Sequence, residues 1–403
     1  MRALHLLLAC GTETPETTEL PTYWKDVRPV LDQSCARCHT DGGQATSFDS
    51  AEAVVALAGA IKESTASRRM PPPAPDPACA DYVGADALFL SDASRATLAA
   101  WADAGAPLGD AADAPAPWTP VTLAPFDVVM QGDAPYQPRF AEDGNDYRCF
   151  ELEVGNEART WVEGFEPLVD NDGIVHHIVL WALPDDAVTP VSDDGMPGFA
   201  CDGFGEGGWD FFAGWAPGGQ PVRLPAGVGM PIPARARFVL QMHYFDAWPG
   251  ADQEWDQSGY AMLLADSVQR EAYAYPLGVE GFRIRPNDPA HEEAMVFPWP
   301  DRYGTFTILG TFPHMHLRGT SFDLRLRHAG APDTCIAHLD DWDFHNQQSV
   351  LLRTPVTVAP GDIVDLRCVY DNGGNDAWVE WGERTDQEMC YAFTYLYEGD
   401  PLP

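Results

Sequence analysis

Five histidines and one methionine fall into four short signatures: His176 and His177 in GIVHHIVLW, His243 in FVLQMHYFD, His314 and His316 in GTFPHMHLRG, and Met389 in DQEMC. Sorted by ligand chemistry they make two sites. One has three imidazoles (His176, His177, His243); the other has two imidazoles and a thioether (His314, His316, Met389). Imidazole suits copper, zinc and iron, whereas a thioether favours Cu(I). Three protein ligands per ion leave a coordination position open for a reactant. Taken singly the signatures are weak. A lone histidine in an apolar strand is more often a satisfied core residue, and an HxH alone would suggest zinc. The ordered set points to a two-copper redox enzyme.

The local sequence must let these side chains meet. TFPHMHLRG reads as a strand, where residues two apart share a face, so His314 and His316 reach one ion while Met315 points away. Adjacent His176 and His177 diverge on a regular strand. They converge only at a bulge or twisted strand end, or through different ring nitrogens. Around these signatures, short β-branched and aromatic runs alternate with Gly/Pro/Asp turns: RARFVLQMHYF, YGTFTILGTF, SFDLRLRHA, VTVAPGDIVDLRCVY and CYAFTYLY. That texture predicts β-sandwiches. His345, in DWDFHNQQSV, reads as an exposed turn residue beside aromatic packing, with a stray ligand as the alternative. His291, His328 and His338 sit in polar surroundings and are expected to face solvent.

The N-terminal part has a different chemistry. Cys35-Ala36-Arg37-Cys38-His39 is a C-x-x-C-H haem-attachment motif. Its thiols would add to the haem vinyl groups and His39 would become the proximal iron ligand. The rival is a zinc or redox CxxC, but Cys79 is the only further candidate ligand nearby, and no other histidine follows until His176. Met70, in SRRMPPPAP, is the only methionine between Met1 and Met130, so it is the expected distal ligand, presented by a loop that its proline run stiffens. In SDASRATLAAWADAGAPLGD, Leu98, Trp101 and Ala102 recur at helical spacing and Gly105 stops the helix. The helix-like YWKDVRPVLDQSCARC resembles the start of a small class I cytochrome c, and the second segment resembles the end of bacterial cytochrome c modules.

At 403 residues the chain has room for two or three domains. The formal charge is −37, from 61 acids against 24 bases. Such an excess repels nucleic acid and anionic headgroups, and its spread along the chain serves solubility. No 18-residue apolar run follows the start, so no membrane span is expected. MRALHLLLAC resembles a bacterial lipoprotein signal with Cys10 lipidated, and GTETPETTELPT then serves as a tether. Of nine cysteines, one carries lipid and two carry haem on this reading. The other six (Cys79, Cys149, Cys201, Cys335, Cys368 and Cys390) would meet an oxidising compartment.

From about residue 120 onward the chain resembles the copper type II, ascorbate-dependent monooxygenases, the peptidylglycine alpha-hydroxylating and dopamine beta-monooxygenase family. The order HH, LQxHY-type histidine, HxH and EMC is similar to that family's ligand order. FAGWAPGGQPVRLPAGVGM, CVYDN and WGERTDQEMC agree with it. The resemblance implies an electron-transfer copper at His176, His177 and His243. It implies a second copper, which binds dioxygen and hydroxylates a C–H bond, at His314, His316 and Met389. It also implies two antiparallel β-sandwich domains whose metals face each other across a solvent cleft, and disulfides Cys149–Cys201 and Cys368–Cys390. Cys79 and Cys335 are left either joined to each other or free. Where peptide-amidating members carry an arginine two residues before the first HxH histidine, this chain has Phe312; where they carry Asn and Tyr after the methionine, it has Tyr391 and Phe393. A carboxylate-anchoring pocket is therefore not expected, and an apolar or aromatic substrate fits better.

The expected architecture is multidomain: a small all-α cytochrome c domain followed by two antiparallel, jelly-roll-like β-sandwiches. Its parts are a lipoprotein signal at 1–10, a tether at 11–22, the cytochrome c domain at 23–110, a linker at 111–122, and sandwiches at 123–265 and 266–403. The expected cofactors are two copper ions and one covalently bound haem c. The expected activity is hydroxylation of a C–H bond of a small organic substrate with dioxygen, with electrons fed through the covalent haem c from an external ascorbate-like reductant or redox protein. The expected location is that of an exported bacterial lipoprotein, in the periplasm or at the outer membrane or cell surface. It would hold the membrane by its lipid alone and would not bind nucleic acid. The rival readings are a non-catalytic exported copper-binding or electron-transfer protein, and an interaction platform that has lost its copper.

Overall fold

The computed structural model describes residues 19–402, except 41–44, 118, 120, 121, 143, 202–207, 247–249 and 383. Cys10 and most of the expected tether lie outside the described residues.

The helices lie in the first quarter of the chain. A π-helical turn at Tyr23–Val27 runs into an α-helix at Arg28–Ser34, and further α-helices follow at Ala51–Ala56, Ala58–Ala66, Ala85–Leu88 and Asp92–Asp103. Ser50 and Ser91 cap two of them by accepting the backbone N–H of Ala53 and Ser94. The last helix stops before Gly105, which takes a left-handed φ of 83°. Val27, Leu31, Val54, Ile61, Leu98 and Trp101 turn inward to a shared apolar cluster, as the spacing of Leu98 and Trp101 predicts. Among the described residues no helix is long and apolar enough to cross a membrane.

Beyond residue 127, apart from two short 3-10 turns, the regular structure among the described residues is β-strand. Five strands form one sheet in the order Phe199–Ala200, Asn145–Glu153, Arg237–Phe245, Val175–Ala182 and Asp210–Trp215. A four-stranded sheet orders His291–Pro298, Ile363–Tyr370, Gly319–Arg327 and Thr334–Leu339. Both lie against a nine-stranded sheet that runs from Val128–Gln131 to Val350–Val358. Its two halves meet where Val228–Ile232 pairs in parallel with Arg270–Val279. Two apolar cores result. One is built around Ile178, Leu240, Phe165 and Met262, the other around Phe322, Leu324, Leu366 and Tyr370. Layered sheets enclosing separate cores agree with β-sandwiches.

Three disulfides brace this frame: Cys149–Cys201, Cys368–Cys390 and Cys79–Cys335. The first two are the pairs implied by the resemblance. The third decides between the alternatives left open for its cysteines and joins the helical part to the second sandwich. Backbone bonds reinforce that joint: Asp76 N–H donates to the His338 carbonyl (2.8 Å), Val83 N–H to that of Leu351 (2.8 Å) and Arg353 N–H to that of Asp81 (3.0 Å).

Candidate metal centres

His177 and His243 face each other across two antiparallel strands, Val175–Ala182 and Arg237–Phe245. The register slips between Val175 and His177, so His176 is the extra residue of a bulge. That slip turns two adjacent imidazoles to one point. The Nδ1 atom of His177 lies 3.2 Å from Nδ1 of His176 and 3.1 Å from Nδ1 of His243. Nitrogens bound to a common ion at about 2.0–2.1 Å come to rest about 3 Å apart, so the spacing suits one metal.

Outer partners set which nitrogen carries the proton. His243 Nε2 is 2.7 Å from Asn145 Oδ1, an oxygen that only accepts, so the proton sits on Nε2 and the Nδ1 lone pair points inward. The Tyr147 ring stacks on His243 at 4.3 Å. His176 Nε2 lies 2.5 Å from His345 Nδ1. Burial, helped by the neighbouring His345, holds the His176 pKa down at about 3. Burial and surrounding imidazoles likewise push His177 and His243 well below the ordinary histidine value. Neutral rings with inward lone pairs are what a metal ion requires.

His314 ends the strand Phe306–His314 and His316 follows just beyond it. Their Nε2 atoms are 3.2 Å apart, while Met315 points away into the second core, as the alternation predicts. His314 Nδ1 lies 2.7 Å from Gln347 Oε1, and His316 Nδ1 lies 3.0 Å from the Gln387 carbonyl. Both Nδ1 atoms therefore donate, and both Nε2 lone pairs face the shared point. Burial lowers the pKa of His314 to about 3 and of His316 to about 4, against the opposing hydrogen bonds from Gln347 and Gln387.

Met389 is buried at 2% exposure in a cluster with Phe312, Tyr391 and Phe393. The strand Cys390–Glu398 pairs with Phe306–His314 so that Tyr391 opposes His314. Met389 immediately precedes Cys390–Glu398, next to Glu388. The carboxylate of Glu388 accepts the backbone N–H of His316 (2.9 Å) and of Arg318 (2.5 Å). Burial raises Glu388 to about 8 despite those donors. Tyr370 donates its hydroxyl hydrogen to the Met389 carbonyl at 2.8 Å, and Cys390 is tied to Cys368. The residue is thus held on both sides.

His177, His314 and His316 line one cavity of about 40 Å³ together with Phe312, Phe344 and Phe393. A histidine of the first set thus borders the same cavity as the two of the second. The Phe344 ring fills the space: its centroid lies 5.3 Å from that of His176, 6.3 Å from His177 and 5.9 Å from His316. On the far wall Phe211 stacks on Phe393 at 4.0 Å.

Cys35, Cys38, His39 and Met70 line a second cavity, of about 350 Å³, between the helices and the sheets. His39 Nδ1 donates to the Thr46 carbonyl at 2.7 Å, which leaves Nε2 as the ligand atom, and Phe48 stacks on the ring at 4.1 Å. Cys35 and Cys38 are free thiols. Burial pushes Cys35 up to about 12 and Cys38 in the same direction, which is unsuited to thiolate redox chemistry. Four residues with the chemistry of a haem c site thus share one cavity wall.

Several participants carry no spacing signal in the sequence: Asn145, Gln347, Glu388, Phe344 and the carbonyl of Gln387. His345 is exposed beside aromatic rings as expected, yet it also meets His176. His291, His328 and His338 correct the expectation of solvent-facing rings. They are half-buried and held by carboxylates of Glu293, Asp362 and Asp323, since the chain's acid excess supplies partners for any imidazole.

Residues 300–402 match the family model of the copper type II ascorbate-dependent monooxygenase C-terminal domain. The chain is similar to the human putative DBH-like monooxygenase protein 2, with 28% identity over 64% of this chain and 54% of that protein. It is 27% identical to human DBH-like monooxygenase protein 1, over 68% of this chain and 47% of that one. Mouse peptidyl-glycine alpha-amidating monooxygenase matches at 24% identity over 70% of this chain and 28% of its own length. The chain thus spans about half the length, or less, of these relatives. Together the matches support the copper type II monooxygenase family for this chain.

Proposed function

We propose that this protein is an exported copper monooxygenase that hydroxylates a C–H bond of a small, apolar organic molecule, with electrons arriving through a covalent haem c. The observation that carries the reading is the gathering of buried imidazoles into two sets, three meeting through Nδ1 and two through Nε2, with His177 of the first set lining the same cavity as His314 and His316 of the second. Copper held by these sets supplies the dioxygen reduction coupled to C–H hydroxylation and a stored electron for it. His314 and His316, with Met389 as soft ligand, would hold the reacting ion; His176, His177 and His243 would hold the electron-storing one.

The remaining roles belong to the chain itself. Asn145, Gln347 and the Gln387 carbonyl keep each ring in its ligating tautomer. Phe312, Phe393 and Phe211 form an apolar wall that offers no cation to a substrate carboxylate. Phe344 excludes water from the space between the two sites. Cys35 and Cys38 would carry haem thioethers, with His39 Nε2 and the Met70 thioether as axial ligands. A Met/His pair gives a higher potential than two histidines. Three disulfides suit the oxidising exterior, and the lipid anchor at Cys10 belongs to this proposal.

A second reading, a non-catalytic electron carrier, is favoured by one observation: the Phe344 ring packs between the two histidine sets and leaves only a small cavity, of about 40 Å³, beside them. Metal and haem analysis of protein exported to a bacterial periplasm, followed by oxygen uptake of the reduced protein, separates the two. The oxygenase reading expects two coppers and one haem per chain, and oxygen consumption matched by hydroxylated product from a panel of small hydrocarbons, amines and peptides. Full metal loading with no substrate-dependent oxygen uptake would leave the carrier.

A further inference from the structure

The segment 342–348 touches all three candidate centres. Trp342 Nε1 donates to the His316 carbonyl (3.2 Å), and Gln347 accepts from His314 (2.7 Å). Phe344 packs between the two histidine sets. His345 faces the other way, into the cavity shared by Cys35, Cys38, His39 and Met70, while its Nδ1 meets Nε2 of His176 at 2.5 Å. One imidazole therefore borders the haem-type cavity and also touches a ligand of the three-histidine site.

We propose that His345 is the positioning residue through which electrons cross from the N-terminal cavity to the three-histidine centre. The inference rests on the haem and copper reading above. With its Nδ1 lone pair on the copper side, His176 would donate its Nε2–H to His345 Nδ1, and that contact would fix the ring. The same hydrogen bond forms a short path between the two cavities, and electronic coupling through a bonded contact exceeds coupling across an open gap. With haem and copper held there, one electron would leave iron(II), giving iron(III), and enter copper(II), giving copper(I). No bond forms or breaks, and the proton stays on His176 Nε2. An external reductant of the ascorbate or redox-protein class then restores iron(II).

The surroundings are built to hold this contact. His345 N–H donates to Asp343 Oδ1 (2.9 Å). Asn346 Nδ2–H donates to the Pro73 carbonyl (2.7 Å), three residues beyond Met70. Gln348 Nε2–H donates to the Pro217 carbonyl (3.1 Å) and to Asn346 Oδ1 (2.8 Å). Arg37, inside the C-x-x-C-H motif, donates to the Gly218 carbonyl at 3.1 Å. With the Cys79–Cys335 bond, these contacts set the position of the N-terminal cavity relative to His176. An electron path needs such a fixed geometry, and a diffusing shuttle does not.

The test uses the full chain, loaded with haem and copper and kept under argon. Its haem is reduced while copper is left oxidised, and haem absorbance is followed in time. The native protein should show ferrous haem oxidising as the copper(II) electron paramagnetic signal is lost. His345→Leu, studied with copper in excess so that both sites stay filled, should slow that decay by about ten- to hundredfold, with the haem spectrum unchanged. His345→Gln, whose amide oxygen still accepts from His176, should recover part of the rate. A His345→Leu protein that retains its metals and transfers at the native rate overturns the inference. A matured chain whose spectrum shows no haem overturns the haem reading instead, before any kinetics are measured.

Discussion

His177 stands directly opposite His243 in an antiparallel ladder, and their Nδ1 atoms approach to 3.1 Å. Regular pairing alone supplies these two ligands; the third arrives because one residue, His176, is extra. The bulge thus completes a ligand set that a regular ladder would leave at two.

Asn145 would bear on a copper ion at the three-histidine site through its contact with His243. Asn145→Ala should weaken copper at the three-histidine site by about 10–100-fold, the range typical when a ligand loses its orienting partner, and leave the His314/His316 site intact. Copper titration with electron paramagnetic detection of each site checks this; equal loosening of both sites would refute it.

Met389→Leu keeps the buried volume nearly constant, so folding should be disturbed little. The soft ligand is lost, however, and Cu(I) at the second site should bind more weakly. Sulfur scattering should vanish from the X-ray absorption spectrum of the reduced protein, and substrate-dependent oxygen uptake should collapse while the three-histidine copper stays. Unchanged sulfur scattering would remove Met389 from the ligand set.

In the metal-free protein the buried histidines and Glu388 should pull stability in opposite directions as pH changes. The buried histidines are held below their ordinary value of 6.5, His176 and His314 at about 3 and His316 at about 4. Between those values and 6.5 the unfolded chain takes up protons that the native sites refuse, so stability is present above 6.5 and is lost as pH falls towards 3. Glu388 acts in the opposite sense. Raised from 4.5 to about 8, it removes stability as pH rises through that interval. Calorimetric melting from pH 4 to 8 checks both limbs, and Glu388→Gln should flatten the alkaline one.

Breaking Cys79–Cys335 by the double change Cys79→Ser, Cys335→Ser should cost about 2–4 kcal/mol, since the bond closes a long loop. The loss should appear as earlier proteolysis between the helices and the second sandwich in the reduced series, with both copper sites still filling. A protease pattern identical to that of the native protein would show that the backbone bonds at Asp76 and Val83 suffice alone.

Much of the site could be read in advance because ligands obey local rules. The HxH alternation placed His314 and His316 on one face, and the HH pair required an irregular strand. The helix ending at Gly105 followed from apolar spacing and a glycine stop. The supporting residues had no such rule. Asn145 lies 98 residues from His243, and Gln347 lies 33 from His314. Both are ordinary polar residues whose role exists only once two loops meet. His345 looked like a turn residue because it is one; only packing across the joint brings it to His176. Cys79 and Cys335 are 256 residues apart, beyond what spacing can pair.

The parallel pairing of Val228–Ile232 with Arg270–Val279 binds the halves of the long sheet into one ladder, and Tyr395 and Tyr397 of the second half are buried in the first half's core. Swinging the two halves apart would rupture that ladder and wet two large aromatic rings. Turning the single ring of Phe344 aside disturbs neither. A hinge between the halves is therefore opposed by this packing, and Phe344 is the ring that a molecule placed between the two histidine sets would have to displace.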